Sequence, residues 1–138
     1  MNRKDFQLLS YIRLREAQAL FSNNCFEGAY YLAGYSVECA LKACISKKIK
    51  KYDFPDKKTV SDSYCHDLDK LINVAGLRPK LDEKININPA FQLNWTIVKD
   101  WSEESRYVNP ISQAKANDLI SAITSRRNGV IRWLKNCW

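Results

Sequence analysis

The chain has 138 residues, of which 46% are hydrophobic and 27% charged; that balance describes one globular domain with its own core, not a disordered segment. Only four glycines and four prolines are present, which argues against an all-β fold rich in turns, and no run of about 18 apolar residues offers a membrane span. The formal net charge of +7 suits contact with nucleic acid, nucleotide phosphates or an acidic partner protein, although solubility alone also accounts for a basic balance.

The first helix is expected from Asp5 to about Ser22, with Phe6, Leu9, Ile12 and Leu20 on a broad apolar face. The residues before it, Met1 to Asp5, carry charges and do not make a signal peptide, so a cytoplasmic protein is expected. Asn23-Asn24 is a natural break. A second helix is expected from about Cys25 to Ile49. Within it Val37, Ala40, Leu41, Cys44 and Ile45 recur at the spacing of a buried helical face. Gly28 and Gly34 cost helix stability there, so close approach of another helix is expected at both. Glu38 precedes Lys42 by one turn, the favourable orientation for a helical ion pair. Either this is a surface pair, or Glu38 points into the bundle and holds a cation from a distant part of the chain.

Tyr52 to Ser63 reads as a loop. A short third helix is expected from Cys65-His66 through Leu68, Leu71, Ile72 and Ala75, stopped by Gly76. Leu77 to Ile87 is ambiguous, with Pro79 able to open a helical turn. Asn88-Pro89 is a clear helix start, Asn as cap and Pro in the first turn. That fourth helix is expected to reach about Ser102 and to present Phe91, Trp95, Val98 and Trp101. Glu103 to Pro110 reads as a connection. Ser112 or a neighbour caps a last helix carrying Ala116, Leu119, Ile120, Ile123, Val130, Ile131 and Leu134, weakened at Gly129. The whole chain, 1–138, is expected to be one all-α domain, an antiparallel up-and-down bundle of four long helices with one or more short ones. Trp133 and Trp138 either leave an aromatic patch that favours dimerisation or close one end of the bundle.

The five cysteines, Cys25, Cys39, Cys44, Cys65 and Cys137, form no C-x-x-C pair, and the single histidine does not complete a usual zinc site. Neither a metal, a disulfide scaffold nor a cofactor is expected; Cys39 and Cys44 read as small hydrophobes within the second helix.

The stretch Ala29 to Ala43, with Val37-Glu38-Cys39-Ala40-Leu41-Lys42-Ala43 at its end, resembles the second helix of HEPN domain proteins. Cys65-His66-Asp67-Leu68-Asp69-Lys70-Leu71 is similar to the start of that family's third helix, and Ser105-Arg106-Tyr107 to the Arg-Tyr dipeptide before its last helix. The three landmarks follow one another in the family's order and span most of the chain. The resemblance implies an all-α bundle, often a homodimer, of the kind found in toxin–antitoxin, phage-defence and RNA-processing systems. Many such proteins are paired with a minimal nucleotidyltransferase. Some are metal-independent ribonucleases and others are non-catalytic binding modules.

The family's nucleases use an Arg followed, four to six residues later, by a His. An imidazole suits proton transfer near neutral pH, and a guanidinium supports the crowded phosphate. Here His66 has no Arg shortly before it, and no His follows Arg78, Arg106, Arg126, Arg127 or Arg132. No catalytic residue is therefore assigned. Glu38, Lys42, His66, Arg106 and Tyr107 form a candidate polar cluster, able to hold a phosphate or nucleotide if they converge. The alternative is a buried Glu38–Arg106 ion pair covered by Tyr107, with His66 structural at its helix start. Lys47, Lys48, Arg126, Arg127 and Arg132 are candidate phosphate or RNA contacts, or else a solvated basic face. The expected function is a non-catalytic HEPN module that binds a nucleotidyltransferase-type partner, nucleotide or RNA. The alternatives are a ribonuclease toxin built around His66 and Arg106, and a purely structural dimer.

Overall fold

Asn2 starts the first helix, α1 (Arg3–Ser22): its side chain accepts from the Asp5 N–H, and the Asp5 carboxylate accepts from the Asn2 N–H at 2.8 Å. This reciprocal cap begins the helix two residues earlier than the apolar pattern alone suggests. In the computed structural model the described residues are 1–51, 54 and 56–138, without the side chains of Lys50 and Lys51. Among them there is no strand. Eight α-helices and one 3₁₀ turn follow one another.

Asn24 takes a left-handed conformation (φ 62°) and turns the chain into α2 (Phe26–Lys51), the longest element. α2 is the centre of the molecule and packs on α1, α4, α7, α8 and the 3₁₀ turn. Its many small residues permit this. Ala29, Ala33, Ala40 and Ala43 are fully buried, as are Val37 and Leu41. At Gly28 an added Cβ would come 3.1 Å from Leu20 of α1, the close helix approach expected there. Gly34 differs. Its missing side chain makes room for the indole ring of Trp101, which an added Cβ would meet at 2.2 Å, so the neighbour is an aromatic ring beyond α6 and not another helix.

The expected loop from Tyr52 to Ser63 contains a helix, α3 (Lys57–Asp62), because the Asp56 side chain caps it by accepting from the Thr59 N–H. Tyr52, Asp53 and Pro55 of that loop lie outside the described residues. Asp67 likewise caps α4 (Leu68–Val74), and Gly76 (φ 72°) ends it. The ambiguous stretch is a ten-residue helix, α5 (Arg78–Ile87), with Pro79 in its first turn. α6 (Pro89–Lys99) starts at Asn88 and Pro89 as expected, but stops three residues before Ser102. The connection holds the 3₁₀ turn (Glu103–Tyr107), capped by Ser102.

Ser112 caps α7 (Gln113–Thr124), as its type predicts. The last helix is not continuous. Ser125 is extended (φ −45°, ψ 132°), and α8 (Val130–Lys135) begins after Gly129, whose N–H donates to the Ser125 carbonyl at 3.0 Å. A Cβ at residue 129 would come within 2.5 Å of that carbonyl oxygen, so the turn needs glycine. The apolar spacing continues across the break because both helices face the same core. Phe91, Trp95 and Val98 of α6 pack toward α7 and α8, and with Leu119 and Ile123 of α7 and Leu134 of α8 they share one core with the buried face of α2. Burial of a side chain the size of Phe91 contributes about 1.5–3 kcal/mol.

Candidate functional site

Glu38 is only 2% exposed, a carboxylate in the middle of the α2 core face. A buried charge of this kind must be paired. The partner from a distant part of the chain is His66, whose Nδ1 stands 2.7 Å from Glu38 Oε1. Lys42, one turn along α2, places Nζ 3.7 Å from Glu38 Oε2. Burial holds the Glu38 carboxyl above its usual range; Lys42 and the hydrogen-bonded His66 pull it back down, and Glu103 pushes it up.

His66 precedes α4, where local bonds fix the backbone. The Cys65 N–H donates to the Asp62 carbonyl at 3.1 Å, the Asp67 N–H donates to Cys65 Sγ at 3.1 Å, and Asp67 itself caps the helix. The other ring nitrogen, Nε2, lies 3.3 Å from Glu103 Oε2. The imidazole therefore bridges two carboxylates, one buried and one half-exposed.

Glu103 reaches this position through Trp101. The indole fills the space left by Gly34 and stacks on Tyr31 at 6.1 Å between centroids, which anchors the chain just before the 3₁₀ turn. Trp101 is buried, and among the described residues its Nε1 finds no hydrogen-bond partner, nor does Ser105 Oγ four residues later. Beside His66 opens a cleft of about 500 Å³ lined by Asp67, Asp100, Trp101, Glu103 and Glu104, among others. Its walls are acidic in a chain that is basic overall.

Of the five residues of the expected polar cluster, the structure brings together Glu38, Lys42 and His66. Arg106 and Tyr107 stay outside. Arg106 is exposed, its guanidinium lies 4.8 Å over the Tyr107 ring, and Tyr107 is itself 76% exposed. The buried Glu38–Arg106 pair expected from sequence is not formed: the 3₁₀ turn presents Glu103 toward the core side and Arg106 toward solvent. Glu103 is the member that sequence reasoning missed. Nothing in Glu103-Glu104 separates one surface acid from the other, and only the turn geometry does.

The basic candidates are spread over the surface. Lys47 is exposed, while Lys48 donates to the Val74 carbonyl at 3.2 Å and so closes the end of α4. Arg126 and Arg127 are exposed at the α7–α8 turn, and Arg132 donates through Nη1 to the Arg126 carbonyl. The Cys39 and Cys44 thiols are buried, and burial pushes both up to about 12. Among the described residues no group of three or more His, Cys, Asp or Glu side chains is placed to hold a metal ion. No helix among the described residues is long and apolar enough to cross a membrane. No family model matches the chain, and no curated protein or solved structure matches it either.

Proposed function

We propose that this chain is a HEPN-type helical module that works by binding and does not cleave RNA. The observation that carries this reading is the state of His66. Its two nitrogens are taken up by Glu38 at 2.7 Å and Glu103 at 3.3 Å, and among the described residues no guanidinium joins it. A metal-free ribonuclease needs an imidazole free to exchange a proton with the ribose and a cation on the phosphate. Here the imidazole neighbours two carboxylates, which repel a phosphate. Arg106 faces the Tyr107 ring instead.

In this reading the helices form an antiparallel bundle, the chain works as a homodimer in the cytoplasm, and its partners are a nucleotidyltransferase-type protein, a nucleotide or RNA. The exposed arginines at the α7–α8 turn and the net charge of +7 support contact with phosphate. The three sequence landmarks support the family. A toxin–antitoxin or phage-defence setting follows from that family resemblance alone.

The test is incubation of the purified protein with total RNA in the presence of a chelator, beside His66→Ala and Arg106→Ala. Intact RNA in all three is the expected result. Cleavage by the native chain that either substitution abolishes would replace this reading with the ribonuclease one.

A further inference from the structure

Lys42 also lines a second cleft, in which His66 has no part. This cleft of about 330 Å³ lies between the start of α1, the later turns of α2, and α3 with the turn after it. That volume is at the lower end of small-molecule pockets, roughly 300–1,000 Å³. Phe6, Ile45, Ile49 and Val60 make its walls largely apolar, and Lys42 is the charged side chain among the described lining residues. The hydroxyls of Ser46 and Ser63 also line it, but they donate to the Lys42 and Val60 carbonyls at 2.9 and 2.6 Å. Besides the exposed Tyr64, Lys42 is the side chain left to meet a ligand's charge.

Its ammonium is poorly engaged. The Lys42 side chain is 16% exposed, yet Nζ is 3.7 Å from Glu38 Oε2, beyond hydrogen-bond reach. Glu38 spends its short contact on His66. An ammonium carries three donors, and none of these is hydrogen-bonded among the described residues. A largely desolvated cation beside apolar walls attracts an anion more strongly than one in water does. On the opposite wall α3 buries no residue at all, so Val60 offers apolar surface that the fold itself leaves uncovered.

We propose that this cleft binds a small amphipathic anion, an apolar body ending in one carboxylate. The body lies along Phe6, Ile45, Ile49 and Val60, and the carboxylate accepts from Lys42 Nζ. Glu38 Oε2, 3.7 Å from the ammonium, already offsets part of its charge, which favours a monocarboxylate over a phosphate dianion.

The test is isothermal titration of the full chain with decanoate, decanol and AMP. Saturable decanoate binding is expected, with decanol about tenfold weaker or worse and decanoate affinity unchanged by excess AMP. Lys42→Met should weaken decanoate about tenfold and leave decanol unchanged. Val60→Asp changes an exposed wall residue, so the fold should survive, and the new carboxylate should abolish decanoate binding even if Lys42→Met fails to fold. The proposal is overturned by no decanoate binding, by equal affinity for decanoate and decanol, by competition of AMP with decanoate, or by decanoate affinity untouched in Val60→Asp.

Discussion

Glu38 sets the electrostatics of the core. Its carboxyl titrates above the usual range because burial disfavours the charge more than Lys42 and His66 relieve it. The folded chain therefore binds this proton more readily than the unfolded chain does. The stability that Glu38 contributes is fully present below the ordinary carboxylate pKa, and it is lost as pH rises through the raised folded value. Glu38→Gln removes that titration. In urea denaturation between about pH 4 and pH 8, the wild type should lose stability relative to Glu38→Gln as pH rises; a constant difference would contradict the shift. The thiols offer a second check at this scale. Cys25 is exposed, whereas Cys39 and Cys44 are buried with thiols near 12. A disulfide reagent at neutral pH should modify Cys25 in the folded protein, and Cys39 and Cys44 only after denaturant is added.

At the scale of elements, Gly34 and Trp101 form one unit. The ring occupies the place of the missing Cβ and fixes the chain leading to Glu103. Gly34→Ala forces that ring away and should cost about 2 kcal/mol or more in chemical denaturation. Gly28→Ala meets only the end of the Leu20 side chain at 3.1 Å, and the gain in helix propensity offsets it, so its effect should be within about 1 kcal/mol. Equal effects of the two would mean that the ring does not depend on the glycine. This pair also shows what the sequence makes legible. Caps at Asn88 and Ser112, and the stop at Gly76, act on neighbours a few residues away, so residue type and spacing suffice to find them. Gly34 was visible as a close approach, but its partner is some 67 positions along the chain, and local pattern carries no such information. The break between α7 and α8 was hidden for a different reason. Both helices bury the same face, so the apolar spacing runs on while the backbone turns at Ser125 to Gly129.

Across the whole molecule, α2 joins what the sequence keeps apart. It carries Glu38 and Lys42 on adjacent turns, with His66 and Glu103 gathered beside Glu38 and the α3 cleft beside Lys42. The convergence of Glu38 with a partner distant in sequence was foreseeable, because a carboxylate on a buried face requires one. That the partner is His66 and not Arg106 depends on which way a five-residue 3₁₀ turn faces. The same turn separates the guanidinium from the imidazole, which is the basis for reading this chain as a binding module. If His66 serves chiefly to hold Glu38, the two side chains must be energetically coupled. The most direct measurement is a double-mutant cycle on folding stability with Glu38→Gln, His66→Gln and the pair, at neutral pH. The expected result is a coupling of about 1 kcal/mol, because each single change strands the other group. Additive effects, with no coupling, would mean that His66 does not hold the buried carboxylate and would return it to the list of residues free for chemistry.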